Sequence, residues 1–247
     1  MSNQQNTPNT IRPYDFNIID IIKTGFQYTK GFKATAWKLA IILAVITYVL
    51  YQVTGLLLPS AEVNSEQFKE NMLIFGFLSI PISAPLMTGF YMTIIAYLRG
   101  ENVSYKSIFK YYPIIWTLSL ASLFVHTINK SIFFITNTIG DYLHLELVVL
   151  AYVLSASIGI IYIFTLPLIA DKELKIWDAM ELSRKAVFSH FFKIIFLYFS
   201  LMIIMAISAI PLGIGMIWTV PMIFITFYGL LYRVMFDGVS YDNEKIS

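Results

Sequence analysis

The amino-acid sequence predicts an all-α protein, a polytopic membrane helical bundle with six transmembrane helices. Hydrophobic residues make up 57% of its 247 residues, the mean hydropathy is +0.70, and only 13% of the residues are charged. Soluble domains carry about 25% charged residues, so this chain has too little polar surface to face water on all sides. Six long apolar stretches and an uneven distribution of basic residues complete the prediction.

The first residues of the chain are polar. The stretch "MSNQQNTPNT" has no charge, and no apolar run falls within the first fifteen residues, which argues against a secretory signal peptide. This composition is typical of disorder, so we predict a disordered cytoplasmic tail over 1–12. We expect a single six-span membrane domain over 13–238 and a short cytoplasmic tail over 239–247.

Six apolar stretches are long enough to cross a bilayer. A transmembrane helix needs about 20 apolar residues to cross a hydrocarbon core about 30 Å thick. The last two stretches are adjacent, and we separate them near Pro211–Gly215, where proline and glycine interrupt a helix. The predicted spans are 35–58, 72–98, 113–136, 146–170, 192–213 and 217–236.

The basic residues predict an orientation. Of the 17 Lys and Arg residues, 15 lie in the N-terminal segment, the 98–112 and 170–193 connections and the C-terminal end. Only Lys69 and Lys130 fall on the other side. Because cytoplasmic loops carry an excess of Lys and Arg, this split predicts that both termini are cytoplasmic. Arg233, near the end of the last span, is interpreted as an anchor to lipid headgroups.

A short amphipathic segment precedes each odd-numbered span. The segments are 16–26, 103–112 and 174–187, and in each of them apolar residues recur at helical spacing opposite charged residues. We predict three interfacial helices that form a collar in the cytoplasmic headgroup plane. The alternative is that they are connectors packed onto their own bundle. The residues chosen to represent the collar are Ile22, Tyr105, Phe109, Trp177 and Met180.

The apolar faces of these segments are explicit predictions. In the first segment, the face consists of Ile18, Ile19, Ile22 and Phe26, and in the third it consists of Ile176, Ala179, Met180, Ser183 and Val187. Each face should be buried in lipid or against the bundle, while the charged face opposite it stays wet.

The order of the segments also predicts a threefold tandem repeat. Each unit is one interfacial helix followed by two spans, over about 14–98, 103–170 and 174–238. Local sequence similarity supports the repeat. The matching stretches are Ile18-Ile19-Asp20 with Ile176-Trp177-Asp178, and Val103-Ser104-Tyr105 with Val239-Ser240-Tyr241.

The third span carries a polar strip. Its members fall on one side of a helix at 100° per residue, and polar groups in a span are expected to face the bundle interior or a wet cavity. One interpretation is a pathway or site for a small solute, with His126 as the titrating group. The other is a row of hydrogen bonds between helices. The strip consists of Ser119, Ser122, His126, Asn129 and Lys130.

Small residues recur every four positions on the fourth span, at Ala151, Ser155 and Gly159. Small side chains at this spacing let two helix backbones approach closely. The pattern therefore predicts that Gly159 lies at a contact between helices, where a leucine would destabilise the bundle.

The sequence predicts no catalytic, cofactor-binding or metal-binding residues. It contains no nucleophile elbow, zinc-protease motif, phosphate-binding loop or dinucleotide-binding motif. The histidines His126, His144 and His190 are scattered along the chain, and there is no cysteine. A net charge of +2 gives no reason to expect nucleic-acid binding. We therefore expect a protein that is not an enzyme.

Two stretches resemble a known group of proteins. They are "APLMTGFYMTIIAYLRGENVSYKSIFKYY" and "LPLIADKELKIWDAMELSRKAVFSHFFKI". They are similar to bacterial six-span inner-membrane proteins, in the style of YciC-like proteins and of the membrane domain attached to some glycerophosphodiester phosphodiesterases. The resemblance covers most of 75–237 and rests on hydropathic patterns. It implies a bacterial inner-membrane protein with no established reaction, and it supplies no catalytic residues.

Three classes of function follow from these observations. The first is a non-catalytic membrane protein that acts as a scaffold, a regulator or a lipid-organising factor, with membrane lipids and a membrane protein as partners. The second is a small-solute transporter or channel that uses the polar strip of the third span. Inverted repeats would favour it, whereas the predicted repeats run parallel. The third, a lipid enzyme, lacks a nucleophile or an acid pair.

Overall fold

The computed structural model describes residues 14–60, 62–63, 65–144 and 146–241. The predicted tail over 1–12 and the final residues 242–247 lie outside this range. The described residues form helices and turns, without a strand. The prediction of an all-α fold is confirmed.

Within the described residues, eight α-helices account for most of the fold, and shorter helical turns of other types complete it. The α-helices are α1 (Ile18–Leu57), α2 (Glu66–Leu98), α3 (Ile115–Leu143), α4 (Val148–Ile161), α5 (Thr165–Lys172), α6 (Ile176–Ser189), α7 (Phe191–Ala209) and α8 (Met216–Phe224). Two 3₁₀ turns, Tyr105–Phe109 and Tyr112–Ile114, precede α3. Two π-helical turns, Ile225–Leu230 and Arg233–Asp237, continue α8.

In the part of the chain that the structure describes, six helical stretches are long and apolar enough to cross a membrane, and the chain is a multi-pass membrane protein. They are Ile18–Leu57, Glu66–Leu98, Tyr105–Leu143, Val148–Lys172, Phe191–Ala209 and Met216–Asp237. The sixth, which joins α8 to both π-helical turns, is named the last span below. The fifth ends earlier than its predicted end at residue 213, because Pro211 cannot continue a helix and Gly213 takes a left-handed φ of +76°.

The chain folds into two compact units. Unit 1 contains the described parts of Met1–Ala34, Tyr91–Val103 and Ile160–Ser247, and unit 2 contains Thr35–Phe90 and Ser104–Gly159. Each unit is assembled from separate stretches of sequence. The boundaries of these units differ from those of the tandem repeat, which stays a prediction.

The three predicted interfacial segments take three different forms. The first is the continuous beginning of α1, because no proline interrupts the chain there. The second forms the two 3₁₀ turns, since the ring of Pro113 would clash with the carbonyl of Phe109 in an α-helix. The third is a separate helix, α6.

The predicted apolar face of α6 is largely confirmed by its burial against the protein, whereas the predicted face of α1 lies outside the protein core, and its burial in lipid stays a prediction. In α6, Met180 is 4% exposed and lies in the core of unit 1. In α1, Ile19 of the predicted face is 62% exposed, whereas Ile21 is 1% exposed. Gly25 explains the difference, because it lets Thr226 of the last span contact the α1 backbone, and this contact turns Ile21 inward.

Candidate functional site

The polar strip lies on α3, in unit 2, and its members have different surroundings. Ser119 is buried, Ser122, His126 and Asn129 are half-buried, and Lys130 is exposed. The strip therefore runs from the interior of unit 2 to its surface.

His126 packs against α2. Its ring meets the ring of Phe77 edge to face, with 4.9 Å between the centroids. A β-carbon added at Gly76 would lie 3.3 Å from both Cε1 and Nε2 of the imidazole, so the glycine makes room for the ring. His126 Nε2 is buried and has no hydrogen-bond partner among the described residues.

Asn129 connects α3 to α4. Its Nδ2 donates a hydrogen bond to the backbone carbonyl of Ser155, with 2.8 Å between the two atoms. The hydroxyl oxygens of Ser119 and Ser155 are buried without a partner within the described part of the chain. Within the strip, Asn129 thus forms a hydrogen bond between helices, whereas the buried polar atoms of Ser119 and His126 have no partner among the described residues.

The collar residues are mostly at the surface. Tyr105 and Phe109 of unit 2 are exposed on the first 3₁₀ turn, and Ile22 of unit 1 is half-buried. On α6, Trp177 is 75% exposed, whereas Met180 is in the core. The helix α6 therefore presents an apolar inner face and an outer face that carries the exposed rings of Trp177 and Phe188.

Three charged residues that the sequence analysis did not select meet at one place in unit 1. Arg99 follows α2, Asp171 lies near the end of α5, and Asp237 ends the last span. Arg99 Nη1 and Nη2 donate to the two carboxylate oxygens of Asp171 over 2.7 and 2.9 Å. Its Nε and Nη2 donate to Asp237 over 3.0 and 2.8 Å. One guanidinium thus binds two carboxylates, each through two hydrogen bonds.

Three more side chains complete this charged cluster, which consists of Arg99, Asp171, Lys172, Tyr232, Arg233 and Asp237. The hydroxyl of Tyr232 donates to Asp171 over 2.8 Å. Lys172 Nζ lies 3.3 Å from Asp171 and 3.5 Å from Asp237. Arg233 donates to the carbonyl of Leu98 at the end of α2, and its Nε lies 3.8 Å from Asp237. Arg233 is thus part of a bonded network within unit 1.

The burial of the cluster makes its ion pairs strong. The side chains of Arg99 and Asp171 are 24% and 10% exposed, so solvent screens their attraction less than at an open surface. The hydrogen bonds to Asp171 hold the pKa of Arg99 above its ordinary value, against the opposing effect of burial. Sequence reasoning missed these pairs because the partners of Arg99 are 72 and 138 positions away. The sequence contained one indication of the cluster, a charged residue at the end of the second, fourth and sixth spans: Arg99, Asp171 and Asp237.

A second polar contact joins the N-terminal segment to the corner between α6 and α7. The hydroxyl of Tyr14 donates to the carbonyl of Ala186 over 2.6 Å, and Lys193 pairs with Asp15. Burial raises the pKa of Tyr14 to about 12. The hydrogen bond from Lys193 lowers the pKa of Asp15 below its usual range.

No group of three or more His, Cys, Asp or Glu residues within the described ranges is placed to hold a metal ion. Comparison with protein-family models, with curated proteins and with solved structures found no match to this chain.

Proposed function

We propose that this protein is a non-catalytic membrane protein of the bacterial inner membrane, and that it acts as a scaffold, a regulator or a lipid-organising factor. The surface that performs this role is the outer face of α6. The observation that carries the proposal is the contrast on this helix between Met180, in the core of unit 1, and Trp177, which is 75% exposed.

The outer face of α6 suits the headgroup region of a membrane. Tryptophan is enriched at this depth because its ring is part apolar and part polar. Phe188 and Phe192, at and just beyond the end of α6, are also exposed. Residues 172–193 contain five basic and three acidic residues, which favours contact with anionic lipids.

Two further observations support the location and the orientation. The excess of Lys and Arg on one side of the six spans favours cytoplasmic termini and a cytoplasmic α6. The resemblance of 75–237 to six-span inner-membrane proteins favours a bacterial inner membrane. The partners that fit this surface are membrane lipids and a second membrane protein.

The proposal is tested with the full-length protein extracted in native-lipid nanodiscs. Wild type and Trp177→Ala/Phe192→Ala are compared by lipid mass spectrometry and by quantification of co-purified proteins. We expect wild type to be enriched in anionic lipid over the bulk membrane, or to retain a membrane protein in a fixed ratio, and the variant to lose this enrichment.

Phe199→Ala is the matched control, because it removes an exposed aromatic ring from the middle of α7. It should leave the composition unchanged. A wild-type particle with the composition of the bulk membrane and no fixed partner would refute the proposed role of this face.

A second candidate function is a small-solute transporter or channel along the polar strip. The observation that favours it is the set of unsatisfied buried atoms in unit 2, Ser119 Oγ, His126 Nε2 and Ser155 Oγ. Buried polar atoms without a protein partner are typical places for ordered water or a ligand.

Flux of protons and small cations into proteoliposomes separates the two functions. Transport above that of empty liposomes, abolished in His126→Phe, would favour the transporter. Equal flux in wild type, His126→Phe and empty liposomes would eliminate it.

A further inference from the structure

The fourth span is broken before it ends. The α4 helix stops at Ile161, and residues 162–164 form a turn before α5 begins at Thr165. A break leaves helix carbonyls without their usual partners. The carbonyl of Ile161 is satisfied from α6, because the buried hydroxyl of Ser183 donates to it over 2.8 Å. The α-helical hydrogen bonding of this membrane span is thus interrupted at 162–164, where i→i+3 bonds replace it.

The helices α5 and α6 form one hairpin, which we name the lever (Thr165–Ser189). They pack against each other and are joined by three residues. Glu173 makes the reversal with a left-handed φ of +52°. The inner faces of both helices are buried, with Leu168 in α5 and Met180 in α6. The lever is therefore a packed element, joined to α4 through the turn at 162–164 and to α7 through His190.

The charged cluster joins the corner between α5 and α6, residues 173–175, to the rest of unit 1. Asp171 lies one residue before the end of α5, and its carboxylate is held by Arg99 and by the hydroxyl of Tyr232. Because these partners belong to α2 and to the last span, the cluster connects the lever to two other helices.

The π-helical turns of the last span position two members of the cluster. A π-helix has i→i+5 hydrogen bonds, which bring Tyr232 and Asp237 to the same side. In an α-helix, with 3.6 residues per turn, the two side chains would point about 140° apart. A return to the α-helical register would therefore turn Asp237 away from Arg99. Such π segments are rare and occur frequently at functional sites.

We propose that the charged cluster is a latch that holds the lever closed, and that its release lets the corner between α5 and α6 move away from Arg99 about the two ends of the lever, the turn at 162–164 and the junction at His190. The inference goes beyond the function proposed above and does not depend on what α6 binds. Three features carry it: a broken span, a packed hairpin beyond the break, and a bonded cluster at the corner of that hairpin. Interrupted helices occur in membrane transporters that change conformation, and ion pairs that break and re-form accompany other conformational transitions.

The latch is tested by pulsed electron paramagnetic resonance on the full-length protein in nanodiscs. The chain contains no cysteine, so labels at Glu101→Cys and Lys175→Cys are unique. Both positions are exposed and belong to unit 1, one after α2 and one at the corner of the lever. Wild type should give one main distance. Arg99→Gln should add a second, longer distance and raise the ratio of open to closed molecules roughly tenfold or more.

Two further variants keep the test decisive. Tyr232→Phe removes only one hydrogen bond to Asp171 and should give a smaller shift in the same direction. Glu181→Gln breaks the exposed pairs with Arg184 and Lys185 and should leave the distance unchanged. If Arg99→Gln does not fold, Tyr232→Phe decides. If the folded variants gave only the wild-type distance, the cluster would be a permanent structural contact, and the latch proposal would be refuted.

Discussion

Gly229 and Gly159 are both glycines of membrane spans, but their surroundings are opposite. A β-carbon at Gly229 would lie 2.7 Å from Cγ2 of Ile94 and would also overlap Leu98. A β-carbon at Gly159 would meet nothing within 4 Å among the described residues. The predicted close contact at Gly159 is therefore wrong, and the last span contains the glycine that permits one. Residue spacing alone does not say which side of a helix has a neighbour.

The two glycines make a matched pair of substitutions. Gly229→Ala should lower the free energy of unfolding by about 1–3 kcal/mol, because the added methyl group overpacks the contact with α2. Gly159→Ala should be neutral or should stabilise the protein by up to about 1 kcal/mol, since alanine favours a helix and no clash arises. Thermal or denaturant unfolding in detergent measures both. Equal stability of the two variants would contradict the described packing.

The contact of Tyr14 and Asp15 with the α6–α7 corner should depend on pH on both sides of neutrality. The pKa of Tyr14 is raised by burial to about 12, so its contribution is complete below about pH 10 and is lost as the pH rises through 12. The pKa of Asp15 is lowered by the hydrogen bond from Lys193, so its contribution is complete above about pH 4 and is lost as the pH falls through the lowered value.

A spin label at Asn17→Cys, an exposed position beside this contact, should report both transitions as increased mobility. In Tyr14→Phe the alkaline transition should be absent, and in Lys193→Gln the acidic one should move toward the ordinary pKa of an aspartate. Unchanged mobility both below the lowered pKa of Asp15 and above pH 12 would show that the segment is not held by these groups.

At the scale of elements, the packing face of a helix was predictable only where the helix had a polar side. The face of α6 was predictable because charged residues mark its outer surface. In α1 the apolar residues extend over much of the helix circumference. The face that packs against the protein is selected by the contact of Gly25 with Thr226. Six spans could be derived from apolar length. The charged cluster could not, because its partners are distant in sequence.

Lysine substitutions test these faces. Met180→Lys and Ile21→Lys should lower the folded yield in membranes sharply, because each places a charge in the core of unit 1 at a cost of several kcal/mol. Glu181→Lys and Ile22→Lys should have smaller effects, since Glu181 is at the surface and Ile22 is half-buried. Fluorescence-detected gel filtration quantifies the yield. If Ile22→Lys lowered the folded yield more than Ile21→Lys, the face of α1 assigned to the protein core would be incorrect.

At the scale of the whole molecule, the charge distribution predicts which connections reach the outside. Cysteines at Glu66 and Asp141 should react with an impermeant maleimide in intact cells, and cysteines at Glu101 and Lys175 should react only after lysis. The physical reason is the excess of basic residues beside the second pair of positions. The absence of native cysteine removes background labelling. The opposite pattern of reactivity would invert the proposed orientation.

The last span is also the most buried of the six, with 67% of its apolar stretch inside the protein against 11–39% for the others. A nascent chain is made and inserted from its N-terminus, so α1, α2 and α7 enter the bilayer before the segment that fills the space between them. Before the last span is inserted, Thr226 cannot pack against Gly25. Arg99 can then form its hydrogen bonds to Asp171 but not those to Asp237. The packed core of unit 1 therefore forms only after the last span has been inserted, because the contacts at Gly25 and the second carboxylate of the charged cluster depend on it.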